Sequence, residues 1–334
     1  MSARVRFIAT VGAAVLLAAL CTHLAAAALD IQTKAATGHK RFGSEHGAAQ
    51  ALISGSSLTY DGVNWREVAG VLGLSIESWP VPGSSPAEWE QLQRRSPHAG
   101  TTFVGVSLYD LNEAWLCDFR ANIVPFRQTL GDLWESRSDR AFAKRLSTWY
   151  FLAWVRMVFP TAGRSDRVIF GLRDKASSLL GGVGADADAG AKLRLAADYT
   201  SDAKISEWPE DRLLRRLDSM RGLQGKPGFA GPKHLALLRL LQRARRQGAV
   251  VVVVLPVSPP YVGGLLSQPD MEQFEASLAD AKRAVPEATW VRLDHVARLK
   301  SADYFSDLVH LNMQGRSIAT AEFLKSLAGR ATRP

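Results

Sequence analysis

The sequence predicts an α/β fold: a three-layer sandwich with a parallel central sheet, plus a mostly helical insertion. Three observations carry that expectation. Ala249–Leu255 contains five consecutive valines between a helical stretch and a proline-rich loop, the pattern of a central parallel strand buried on both faces. Short apolar segments alternate with stretches of helical period, which places parallel strands between helices. Ala51–Ile53, Leu74–Glu77 and Ala249–Leu255 each run into a turn rich in Gly, Ser or Pro. Such turns sit at the strands' carboxyl ends, where α/β sheets bind ligands.

Length and composition bound the function. The chain has 334 residues, 47% of them apolar and 22% charged, enough for one large core and far from the composition of a disordered protein. Its 41 Lys+Arg exceed 32 Asp+Glu, giving +9. Much of the excess lies in Arg212–Arg221 and Arg239–Arg246. No nucleic-acid-binding motif accompanies the charge, so no nucleic-acid partner is expected, and an anionic membrane surface or polymer suits it better.

At the N-terminus, Arg4 and Arg6 precede Phe7–Ala28, which carries no charge beyond a protonated His23 and closes on four alanines. That is the layout of a secretory signal peptide. The stretch is also long enough for an N-terminal membrane anchor. Either reading exports residues 29 onward, and residues 29–46 then read as a linker. Two cysteines, Cys21 and Cys117, make no disulfide framework; Cys117 reads as a buried structural thiol.

In chain order, Ala51–Ile53 is a short buried strand that ends at Gly55-Ser56-Ser57. A helix from about Gly62 to Leu72 follows, with Val63, Val68, Val71 and Leu72 at near-helical spacing. A second strand is placed at Leu74–Glu77; Pro86 then opens a helix capped by Ser84 or Ser85, with Gly83 in the turn before it. Thr101–Leu108 is the third strand and exits into Tyr109-Asp110-Leu111-Asn112-Glu113. About 120 residues without a strand signal follow, the helical insertion at about 113–233, with an aromatic run at Trp149–Phe159 that reads as a buried helix. Helix Leu235–Gln247 ends at Gly248, placed as a C′ glycine, before the valine strand and the loop Pro256–Tyr261. A helix at Met271–Ala284, a strand at Thr289–Leu293 and a final helix from about Gln314 to Leu327 complete the chain.

Between the last strand and the last helix stands Asp307-Leu308-Val309-His310, a carboxylate three residues before a histidine. One loop can therefore supply a base and the group that orients it, and a serine at a strand-to-helix turn supplies the nucleophile such a base would activate. Asp294-His295 lacks that setting, because neighbouring side chains in a strand point apart. No paired His/Cys/carboxylate spacing suggests a metal site, and no cofactor is expected. Asp307 could alternatively be a helix-start residue.

Serine in the first block and Asp-x-x-His in the last resembles the SGNH (GDSL-like) hydrolase superfamily, whose sheet is flavodoxin-like. The resemblance covers about residues 48–113 and 234–328. It implies Ser57 as nucleophile, since Gly55-Ser56-Ser57-Leu58 matches Gly-Asp-Ser-Leu only in that register, with His310 as base and Asp307 as its orienter. It also implies an oxyanion site made by Ser57, Gly83 and Asn112. Asp110 competes for the last place, because the usual Gly-x-Asn-Asp is absent. The insertion, the exported N-terminus and Pro256-Val257-Ser258-Pro259 look most like envelope acyl-transfer proteins, namely alginate-type O-acetyltransferases and the protein that aids lipoteichoic acid D-alanylation. The implied function is acyl-ester chemistry, as O-acetyltransferase or esterase, on a cell-envelope polysaccharide, with a carbohydrate or acylated small molecule as substrate. The alternative is an inactive module that binds envelope polymer or a membrane-bound acyltransferase partner.

Overall fold

The computed structural model describes residues 3–28, 40–42, 49–78, 84–95, 100–113, 134, 147, 202–223 and 227–331. Gly83, Cys117, the Trp149–Phe159 run and most of the insertion lie outside the described residues. The chain divides into two compact units, residues 1–36 with 119–197, and residues 37–118 with 198–334. In the first unit, Ala3–Ala28 (α1) is one continuous helix. Among the described residues no helix is long and apolar enough to cross a membrane, so export rests on the sequence of residues 1–28.

The second unit is built on a six-stranded sheet: β1 Lys40–Phe42, β2 Ala51–Ser54, β3 Ile76–Ser78, β4 Thr101–Ser107, β5 Val250–Leu255 and β6 Thr289–Arg292. Their spatial order is β1-β3-β2-β4-β5-β6. The five strands from β3 to β6 are parallel, and β1 pairs antiparallel with β3 at the edge. The chain therefore leaves β2 toward one edge, returns to β4 on its other side, and continues outward. That reversal between β2 and β4 is the topological switch point, where open α/β sheets hold their ligands.

Helices flank the sheet as two packed groups: α4 (Pro86–Arg95), α7 (Pro232–Gln247) and α9 (Gln268–Ala284) in one, α2 (Ser57–Gly62), α3 (Trp65–Leu72) and α10 (Met313–Ala331) in the other. Three further helices belong to the unit: α5 (Leu108–Leu111), α6 (Glu210–Leu223) and α8 (Pro259–Leu265). The predicted three-layer α/β architecture is thus present. All five valines of β5 are buried, and each contributes about 1.5–3 kcal/mol relative to an exposed side chain. On the α3/α10 side, Trp65, Phe103 and Phe323 meet at ring-centroid distances of 5.4–6.0 Å in tilted and edge-on pairs, which fixes the last helix to the sheet. Between α4 and α7, the buried Glu90 carboxylate pairs with Arg239 at 3.1 Å and Arg243 at 3.8 Å.

Several local expectations need correction. β1 lies inside the stretch read as linker; three residues, two of them basic, give no periodic signal. Val71 is 64% exposed. The helix starts later than expected, after the Asn64 cap, and its buried face is Trp65, Val68 and Ala69. Gly248 ends α7 in an extended conformation, not the left-handed one of a C′ glycine. Its requirement is steric, because a Cβ there would collide with the Gly100 carbonyl oxygen at the start of β4.

Candidate active site

The turn after β2 is shaped by close packing. A Cβ on Gly55 or on Gly105 of β4 would run into the Thr59 side chain, so two glycines let α2 settle directly onto the switch point. Ser56 is the cap of α2: its Oγ accepts from the Leu58 N–H at 3.2 Å, satisfying one free donor of the first turn. Ser57 follows as the first helical residue and is half-buried.

 Every other residue from 51 to 60 is buried, so Ser57 is the one residue of this stretch with appreciable solvent exposure.

The second half of the site comes from the loop before α10. Asp307 Oδ1 accepts from the backbone N–H groups of Val309 at 2.8 Å and His310 at 2.7 Å, which closes the corner on itself. Its other oxygen, Oδ2, stands 2.9 Å from His310 Nδ1. A carboxylate can only accept, so Nδ1 carries the proton and the opposite nitrogen is free to accept. That nitrogen, Nε2, lies 3.0 Å from Ser57 Oγ. The structure therefore brings together Ser57, His310 and Asp307, from positions 253 residues apart at the extremes of the serine–histidine pair. The cap of α10 is a different residue: Asn312 Oδ1 accepts from Gly315 N–H at 2.9 Å. Asp307 is not the helix cap.

The corner is anchored from both sides. Ser258, at the end of the loop after β5, donates to the Leu308 carbonyl through its N–H at 3.2 Å and its Oγ at 2.7 Å. Asn312 Nδ2 donates to the Asp303 carbonyl at 2.7 Å, and Ser306 N–H to the His310 carbonyl at 2.9 Å. Burial acts against charge on both triad partners, but their mutual hydrogen bond and charges outweigh it. Asp307 is held below the ordinary carboxylate range, helped by its two backbone N–H donors. His310 is raised above an ordinary histidine, chiefly by Asp307 and further by the charges of Asp61 and Asp110.

The other candidates divide. Gly83 lies outside the described residues. Asn112 closes α5 as its C-cap and is buried; its carbonyl accepts from the buried Lys233 ammonium at 2.7 Å. Asp110 is buried within reach of Ser56, beside the Ser57 turn. Burial pushes its carboxyl up to about 6, against the pull of the Ser56 and Ser107 hydroxyls and the Lys233 charge. Its Oδ2 accepts from Ser107 Oγ at 2.8 Å. Sequence reasoning missed Lys233 and Asp61, since neither stands in a motif. A scan against protein-family models finds no match, and no curated protein sequence matches the chain. The site is therefore read from its own geometry.

Among the described residues, one group has ligand atoms clustered as a metal site would: Glu275, Asp294 and His295, within 4.8 Å of one another. The Arg292 guanidinium holds that place, with Nη1 2.9 Å from Glu275, Nη2 2.7 Å from Asp294 and Nη2 2.7 Å from His295. A cation in the same place would meet a fixed positive charge. Asp294 and His295 also correct a sequence expectation: they sit in a 3₁₀ turn, not a strand, and both reach one arginine.

Proposed function

We propose that the protein is a serine-dependent acyl-ester enzyme of the SGNH type, acting outside the cytoplasm on a cell-envelope or exported polysaccharide. The observation that carries this reading is the unbroken chain from Ser57 Oγ to His310 Nε2 and from Nδ1 to Asp307, at 3.0 and 2.9 Å. As Ser57 Oγ attacks an acyl carbonyl, its proton passes to His310 Nε2, and Asp307 stabilises the imidazolium. Collapse of the tetrahedral intermediate breaks the bond to the leaving group, which takes the proton from His310. The acyl-enzyme on Ser57 then meets water or a sugar hydroxyl, from which His310 again removes the proton; the new bond to the acyl carbon forms, the bond to Ser57 Oγ breaks, and Oγ takes the proton back from His310. The developing oxyanion calls for N–H donors. The Ser57 N–H, unpaired within the first turn of its helix, is one, and the Asn112 amide and the Gly83 N–H are the further candidates.

Assay of the purified protein with an acyl-nitrophenyl ester tests the reading, with and without oligosaccharide acceptors. Nitrophenol release that depends on Ser57 supports it, and acyl-oligosaccharide formation identifies the transferase form. A folded protein that releases no nitrophenol from any ester contradicts it, and leaves a module that binds polymer or a membrane-bound acyltransferase.

A further inference from the structure

A half-open cavity of about 420 Å³ lies at the carboxyl end of β5 and β6, within the size range of small-molecule sites. Its walls are apolar: Leu108, Val257, Val262, Met271, Phe274 and Leu299. The lining also includes Asp294, His295, Glu275 and Lys300. Arg292 engages Glu275, Asp294 and His295 together, so these three form a paired cluster rather than open charges. Two of its lining segments lead along the chain toward the triad. Leu108 begins the turn that carries Asp110, whose charge is felt at His310. Val257 precedes Ser258, which is bonded twice to Leu308 in the middle of the Asp307–His310 corner.

We propose that this cavity binds an aliphatic acyl chain, with the carbonyl end toward Leu108 and Val257 and the tail between α8 and α9. The assignment rests on the acyl-ester reading and names its substrate class: an acyl group longer than acetyl. Apolar walls favour hydrocarbon because burying each methylene is favourable, and a cavity of this size is far larger than an acetyl group needs. A chain that outgrows the apolar lining meets the cluster paired with Arg292, so the site also sets an upper length.

Two measurements on the full chain test this. The first uses Ser57→Ala protein, so that binding is read without turnover: the fluorescent fatty acid cis-parinaric acid is titrated and then displaced by decanoate. Saturable, displaceable binding is expected, and it should weaken at least tenfold in Val262→Trp and in Met271→Trp, with folding checked by circular dichroism. The second compares nitrophenyl esters from acetate to hexadecanoate on protein with Ser57 intact. Octanoate should exceed acetate at least tenfold in kcat/KM, hexadecanoate should fall below octanoate, and both filling variants should erase the octanoate preference. No saturable binding, or binding that folded filling variants leave unchanged, overturns the proposal. Binding with no chain-length preference among turned-over esters overturns the acyl assignment. If no ester is turned over at all while decanoate binding persists and responds to the filling variants, the enzyme reading has failed and the chain-binding site stands.

Discussion

Replacing Asp307 by Asn isolates the electrostatic core of the site with little change in shape. The amide oxygen can keep accepting from the Val309 and His310 N–H groups at the Oδ1 position, so the corner should hold. At the Oδ2 position the oxygen becomes an NH₂ facing His310 Nδ1 across 2.9 Å. Two donors cannot face each other, so the imidazole shifts to the tautomer with its proton on Nε2 and can no longer take the Ser57 proton. The imidazolium formed during turnover also loses its counter-charge. Two unit charges this close in a partly wet site interact by roughly 4–6 kcal/mol at an effective dielectric near 20, and solvent around Asp307 favours the lower end. The expected loss is about 10³–10⁴ in kcat/KM, in line with the ~10⁴ seen for this change in serine proteases. Steady-state ester hydrolysis measures it, alongside thermal unfolding to confirm a native fold. A folded variant within tenfold of the parent would remove Asp307 from the mechanism and leave a Ser57–His310 dyad.

Further outcomes follow from the same geometry. His310 must be neutral to act as base, and its folded-state value is raised above 6.5; kcat/KM should therefore rise with pH through an apparent value above that of a free histidine, and a limb at or below 6.5 would refute the pairing with Asp307. Gly105→Ala places a methyl against Thr59 and should cost about 1–3 kcal/mol in a urea titration, as overpacking does, with a loss of activity as α2 and Ser57 shift; an unchanged midpoint would show that α2 is not seated as described. A fusion of residues 1–45 to a reporter active only outside the cytoplasm should give signal, and a silent but expressed fusion would sink the export proposal.

The five parallel strands were legible as short segments with sharp ends, whereas β1, with two basic residues of three, was not; β5, buried on both faces, announces itself by valine alone. The Asp307–His310 corner was legible because spacing within one loop fixes what can meet. Its link to Ser57 was not readable from spacing, since 253 residues of chain decide it, and block order had to stand in for geometry. α8 was missed although Ser258-Pro259 is a cap followed by proline at the first helical position, a readable start signal. Asn312 was missed as the α10 cap because Asp307 offered a competing acidic residue nearby. The Asp110–Lys233 neighbourhood could not be found at all: a buried lysine looks like any surface lysine until the fold places it beside the turn after β4.

The most direct test of the catalytic assignment is labelling of the full chain with a fluorophosphonate probe, followed by mass spectrometry of the modified peptide. The account predicts one covalent adduct on Ser57, formed by the Ser56→Ala protein as well, and absent from folded Ser57→Ala and His310→Ala proteins. An adduct on Ser56, or a folded parent protein that takes no label, would contradict it.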